Sequence, residues 1–223
     1  MTKSFNHKED LISNGVNSII MSMEKSLAKH NSVRVLLSGG STPGPIYKLL
    51  NKNCEFIDSI NFGLVDERYV NTLSEFSNER LIRDCFTHEK VKKNNITGMV
   101  FDKSDKYKNL QIVREKYTPF IERTDLVILG MGKDGHTASI FPDDEGSKTA
   151  YESSEKTIFN TNAPDHPQDR ITCSMDLICS AQTIILFISG MDKWQVLNDK
   201  TKKLPIHEVM KRRSDINIFY SKA

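Results

Sequence analysis

Asp125-Leu126-Val127-Ile128-Leu129-Gly130-Met131-Gly132-Lys133-Asp134-Gly135-His136-Thr137-Ala138-Ser139-Ile140-Phe141-Pro142 runs from a short apolar stretch into a glycine-rich turn. Leu126 to Leu129 is short, continuous and partly β-branched, the pattern of a strand buried on both faces. The residues after it contain G-x-G-x-x-G, so a dinucleotide-binding unit has to be weighed. Such a unit needs a long helix directly after the glycines and an acidic residue at the end of the next strand. Pro142, Asp143, Asp144 and Gly146 interrupt any helix there, and the dinucleotide reading is set aside. What remains is a strand whose carboxyl end opens into a flexible loop carrying His136 beside Asp134.

Similar runs recur on both sides: Val33 to Leu37, Ile60 to Val65, Thr183 to Ile188 and Ile216 to Tyr220. Helical patterns alternate with them. Leu11 to His30 repeats its apolar residues near every 3.6 positions. Pro43 to Leu50 starts on a proline with Thr42 as a candidate cap, and Ser77 to Phe86 offers Ser77 as a cap. Leu110 to Ile121 is amphipathic with a break expected at Pro119, and Met191 to Leu197 follows the fourth strand. Pro142 to Gln168 reads as a long loop with one strand near Thr157 to Asn160. The fold class expected is α/β: a mostly parallel sheet with helices on both faces, a Rossmann-like three-layer sandwich, with a small additional lobe. One domain over residues 1–223 is expected.

Composition narrows the function. The 223 residues are 38% hydrophobic and 27% charged with a net charge of +2. That suffices for a core, and it is too balanced to imply a nucleic-acid or membrane-surface partner. Cys54, Cys85, Cys173 and Cys179 form no metal-binding spacing and read as reduced thiols. The first ten residues have no apolar signal core, and no apolar run approaches a membrane span. A cytoplasmic protein is expected. Ser221-Lys222-Ala223 differs by one residue from a peroxisomal address, which carries little weight.

Three loops carry chemistry. Ser38-Gly39-Gly40-Ser41-Thr42-Pro43 lies between a strand and a helix, where turned backbone N–H groups and a helix N-terminus suit a phosphate. An ordinary strand-to-helix turn fits the same residues. Asp66-Glu67-Arg68 ends the second strand, at the edge where open parallel sheets bind ligands. A solvated loop with local ion pairs is the plainer account. His136, on its glycine-flexed loop next to Asp134, suits a general base near neutral pH. Arg170 and Lys193 lie where either could reach a phosphate, although position alone does not select them. His7, His30, His88, His166 and His207 lack such a setting and are expected at the surface, as are Lys202-Lys203 and Lys211-Arg212-Arg213.

In this order the motifs resemble the 6-phosphogluconolactonase family, which shares a fold with glucosamine-6-phosphate deaminases and ribose-5-phosphate isomerases. The residues that carry the likeness are Leu37 to Pro43, Val65 to Val70, Ser77 to Leu81, Asp125 to Pro142, Arg170 to Thr172, Ser189 to Lys193 and Leu204 to Ile206. Deaminases continue past the histidine toward Asn-Glu-Pro and tend to read Asp-Glu-Tyr at the second loop. Here Ile140-Phe141-Pro142 and Asp66-Glu67-Arg68 stand instead, which favours the lactonase. The terminal Ile218 to Ala223 and the loop Asp165 to Asp169 depart from the lactonase pattern. The resemblance implies hydrolysis of a sugar-phosphate lactone in the pentose phosphate pathway, with no metal or organic cofactor. It implies His136 as the base, with Asp134 beside it and Asp66 and Arg68 around the sugar. Gly39, Gly40, Ser41, Thr42, Arg170 and Lys193 are implied as the phosphate set. A glucose-6-phosphate dehydrogenase is implied as the pathway neighbour. A deaminase or isomerase, or a sugar-phosphate sensor without catalysis, are the competing readings.

Overall fold

A computed structural model of the chain describes residues 1–87, 91 and 95–222, so His88 and Ala223 lie outside the described residues. The first half contains β1 (Thr2–Phe5), α1 (Lys8–Leu27), β2 (Val33–Leu37), α2 (Pro43–Asn53), β3 (Ile60–Leu64), β4 (Asp66–Arg68), α3 (Asn78–Cys85), β5 (Ile96–Thr97), α4 (Lys106–Lys116) and α5 (Thr118–Glu122). The second contains β6 (Leu126–Leu129), α6 (Glu145–Glu152), β7 (Ile158–Asn162), β8 (Asp169–Cys173), α7 (Met175–Cys179), β9 (Thr183–Ser189), α8 (Met191–Asn198), α9 (Pro205–Arg212) and β10 (Asn217–Ser221).

Seven strands form one sheet in the order β1-β10-β9-β6-β2-β3-β5, and every neighbouring pair is parallel. The apolar runs supply its centre because parallel strands covered by helices have no face for water. All four residues of β6 are buried, and four of the five in β2. Leu11, Val16, Ile19 and Met23 of α1 and Ile46, Tyr47 and Leu50 of α2 join the same core. The Tyr117 hydroxyl accepts from the Leu64 N–H at 2.8 Å and donates toward Thr97 O at 3.2 Å, tying the turn after α4 to β3 and β5.

A second sheet of three antiparallel strands, β4-β8-β7, forms the small additional lobe. Asp66-Glu67-Arg68 is therefore a strand of its own rather than the tail of β3. Its register puts Asp66 opposite Thr172 and Arg68 opposite Arg170.

Other expectations change in detail. Thr42 stands at the start of α2, but its side chain makes no cap hydrogen bond. Ser77 Oγ does cap α3, accepting from the Arg80 N–H at 3.1 Å. The Leu110 to Ile121 pattern divides at Tyr117, and Pro119 falls in the first turn of α5, where its missing N–H costs nothing. Within Pro142 to Gln168 lies α6 as well as β7; Asp144 Oδ2 accepts from the Ser147 N–H at 2.6 Å and starts that helix. All four cysteines are free thiols. His7 and His166 are exposed as expected, whereas His30 and His207 are half-buried. The His207 ring faces the carbonyls of Lys202, Val196 and Leu197 and clamps the end of α8 to α9. Among the described residues no helix is long and apolar enough to cross a membrane.

Candidate active site

Strand order alone locates the crevice. The chain passes from β2 to β3 on one side and from β6 to β9 on the other, while β2 and β6 are neighbours. The loops leaving β2 and β6 therefore diverge, and the space between them is where open α/β sheets hold ligands. A cleft of about 270 Å³ lies there, lined by Ser38 to Pro43, Asp66, Arg68, Asn78, Gly130 to Gly132, His136, Ala138, Phe187 and Lys193.

The β2 loop presents an anion site. Among the described residues no protein acceptor takes the backbone N–H groups of Gly39, Gly40, Ser41 or Thr42. The N-terminus of α2 adds the positive end of its dipole. Lys193, in the first turn of α8, shares this cleft, and burial holds its ammonium below the usual value while Asp192 pulls the other way. Gly39 permits the close packing. A Cβ there would lie 1.8 Å from Asn78 Oδ1, so any side chain would push the loop away from α3.

His136 stands on the opposite loop. Its Nδ1 is 2.6 Å from Asp134 Oδ1, which also accepts the His136 backbone N–H at 3.1 Å. Burial opposes the charge on Asp134, but the hydrogen bonds and charge of His136 outweigh it and hold the carboxyl below its usual value. A neutral ring that carries its proton on Nδ1 donates it to this carboxylate and leaves the Nε2 lone pair for a reacting proton. The Phe141 ring, 4.6 Å away between centroids, backs the imidazole. Ala138 adopts φ 51°, a left-handed conformation that costs an alanine about 1 kcal/mol or more and recurs at functional sites. Further anchors are Thr137 Oγ1 to Gly130 O at 2.9 Å and the Ile206 N–H to Gly135 O at 3.2 Å.

The small sheet supplies the third wall. Asp66, Arg68, His136 and Ala138 also line an adjoining hollow of about 150 Å³, together with Ser139, Phe141, Asp165 and Arg170. Arg170 thus meets the cleft beside Arg68 rather than along the wall that holds Lys193. Two arginines opposite one another repel, and among the described residues neither is in an ion pair. Burial and the Arg68 charge both lower the Arg170 guanidinium's hold on its proton. Arg68 Nη1 donates to Phe76 O at 2.7 Å, while Arg170 Nη1 is buried without a partner. An anion held between them would offset the repulsion.

Several residues escaped the sequence reading. Ser139 Oγ donates to Asp66 Oδ2 at 2.6 Å and fixes that carboxylate. Asn78 Nδ2 donates to Asp66 O at 3.0 Å. Glu67 is wholly buried and accepts from the N–H groups of Arg68, Asn78 and Glu79 and from Ser77 Oγ. Burial pushes its carboxyl up to about 7 against the pull of those four bonds. Ser77 was legible as a cap, but nothing in a linear reading shows that the carboxylate it also serves lies ten residues upstream.

A family model described as glucosamine-6-phosphate isomerases/6-phosphogluconolactonase matches residues 6–218. A probable 6-phosphogluconolactonase of Dictyostelium discoideum is 32% identical, covering 87% of this chain and 86% of its own. The 6-phosphogluconolactonase of Thermotoga maritima is 30% identical over 92% of this chain and 91% of the relative. Among solved structures, a 6-phosphogluconolactonase from Shewanella baltica superposes with TM-score 0.88 at 26% identity, covering 99% of this chain and 96% of that one. The structure of the enzyme from Thermotoga maritima gives TM-score 0.85 at 27% identity, covering 99% of each chain.

Proposed function

The chain belongs to the glucosamine-6-phosphate isomerase/6-phosphogluconolactonase family, and from that premise we propose that it hydrolyses 6-phospho-D-glucono-1,5-lactone to 6-phospho-D-gluconate. The observation that carries the reading is the His136–Asp134 pair at 2.6 Å in a cleft with cationic or N–H-rich walls on two sides. The phosphate sits on the Gly39 to Thr42 N–H groups with Lys193, a remote anchor that orients the ring. C1 then lies toward His136, with Arg68 and Arg170 beyond it.

A δ-lactone is an activated ester, so no covalent nucleophile is needed. His136 Nε2 takes a proton from water as its oxygen attacks C1. Asp134 keeps the proton on Nδ1 and stabilises the imidazolium that forms. Arg68 and Arg170 stabilise the oxyanion on the former carbonyl oxygen. As that oxyanion collapses, the C1–ring oxygen bond breaks and the imidazolium returns its proton to the departing oxygen. The product carboxylate stays beside the arginines. The lactone is the product expected of a glucose-6-phosphate dehydrogenase, which makes that enzyme the functional neighbour, and the free thiols fit a cytoplasmic setting.

The test is proton release from freshly made lactone, for wild type and His136→Ala. Wild type is expected to exceed the spontaneous rate, and the variant to lose about 100-fold or more in kcat with an unchanged melting temperature. Near-wild-type turnover by the variant removes His136 as the base. A folded wild type that does not accelerate hydrolysis overturns the reading, and release of ammonia from glucosamine 6-phosphate then becomes the assay.

A further inference from the structure

The cleft and the hollow beside it are two spaces with a wall in common. Asp66, Arg68, His136 and Ala138 line both. The cleft alone has the Gly39 to Thr42 loop and Lys193, so the phosphorylated end of a substrate belongs there. The hollow, of about 150 Å³, is closed instead by Ala163, Pro164 and Asp165 of the turn between β7 and β8, and by Arg170 of β8. Ala163 is buried, and its N–H donates to Gln168 O at 2.8 Å, which fixes the turn. Pro164 and Asp165 are exposed, so the hollow meets solvent over a rim that the cleft does not share.

Hydrolysis brings two molecules to one carbon. Once the phosphate and ring fill the cleft, the water that attacks C1 needs its own place and its own way in. His136 stands at the junction: 32% of its side chain is exposed, and it faces both spaces. The hollow is polar, with two carboxylates (Asp66 and Asp165) and two arginines (Arg68 and Arg170) at its walls. A water needs about 10 to 15 Å³ and a few polar partners, so the hollow has room for several. Resting on the lactonase reading above, we propose that the hollow is a nucleophile subsite, which delivers water to C1 past His136 and admits a small alcohol in its place, so that the enzyme also carries out alcoholysis. With methanol, the hydroxyl oxygen bonds to C1 as His136 Nε2 takes its proton. The bond from C1 to the ring oxygen then breaks, the ring oxygen receives that proton, and the methyl ester of 6-phosphogluconate leaves.

The test measures product partitioning in wild type, and steady-state kinetics in Ala163→Val and Ala163→Leu, which add carbons at the hollow's wall. Wild type acting on fresh lactone in dilute methanol is expected to form methyl ester above the enzyme-free control. Per mole of alcohol the yield should exceed that from benzyl alcohol by about tenfold or more, since the larger alcohol outgrows the hollow. In the variants kcat falls, by about tenfold for leucine, and the ester share of the product falls too. KM stays, and so does the Kd for glucose 6-phosphate, a phosphorylated ring with no ester to attack. Melting temperatures report whether each variant is folded. No methyl ester from an active wild type, equal yields from the two alcohols, or an unchanged kcat in folded Ala163→Leu overturns the proposal. Loss of glucose 6-phosphate binding in step with kcat also overturns it, because the hollow then holds part of the sugar. Partitioning in wild type decides the matter even where neither variant folds. A wild type that does not speed lactone hydrolysis at all brings down the functional reading and this proposal together.

Discussion

A methyl group on Gly132 would lie 2.2 Å from both Nδ1 and Cε1 of His136 and 2.5 Å from Asp134 Oδ1. Gly132→Ala is therefore expected to part the base from its carboxylate and lower kcat by about 100-fold, while circular dichroism and melting report an intact fold. Arg170 presents the opposite balance. Its guanidinium is buried, faces Arg68 and has an unpaired Nη1, so Arg170→Met should leave the ligand-free protein as stable as wild type or more so. The same change should lower kcat about 100-fold with little change in KM, since the oxyanion then meets Arg68 alone. Urea unfolding and steady-state kinetics on one preparation check both halves. His136 and Asp134 were legible because they share one glycine-flexed loop after an unmistakable strand. Asn78 was not, because an asparagine behind a capping serine reads as a helix start, and only the packing of Gly39 brings it to the cleft.

The junction of β4 and α3 rests on Glu67 and Ser77. Ser77→Ala removes the cap on Arg80 and one of the four donors to Glu67, and should cost about 1 to 2 kcal/mol by denaturant unfolding. Burial lifts Glu67 from its ordinary 4.5 to about 7. A carboxyl raised on folding favours the native state fully below pH 4.5, and that contribution is lost as pH rises through about 7. Its size is on the order of 3 kcal/mol. Unfolding free energy should therefore fall between pH 4.5 and 8 more steeply in wild type than in Glu67→Gln; equal slopes would refute the burial argument. Elements with apolar runs (β2, β3, β6, β9 and β10) were readable at this scale. β1 was hidden because all but one of its residues is exposed and its place is set by β10. The polar helix α6 was hidden because proline, glycine and aspartate around it signal a loop. β4 and β8 are paired strands only through their distant partner, which no local pattern reveals.

At the scale of the whole molecule, the cleft takes one wall from each of two sheets and the loops of β2 and β6 between them. A ligand spanning these parts should stabilise the assembly: 6-phosphogluconate at a hundred times its Kd is expected to add about 2.7 kcal/mol. The resulting rise in melting temperature should be largely absent in Lys193→Ala, which calorimetry can check. The parallel sheet and its crevice were legible because alternating runs and helices admit few topologies; the small lobe was expected too, but the antiparallel pairing of β4, β8 and β7 within it was not. The large sheet also has its first strand in an unusual position. Among the described residues Thr2–Phe5 pairs only with Ile218–Ser221, and the Ile218 N–H donates to Met1 O at 2.9 Å. On a ribosome these residues await a partner made about 216 positions later, a delay of roughly 10 to 45 s at ordinary elongation rates. Throughout that interval the nascent chain carries an unmatched polar ribbon while the strands meant for the middle of the sheet gather behind it, so the edge is sealed only when β10 arrives.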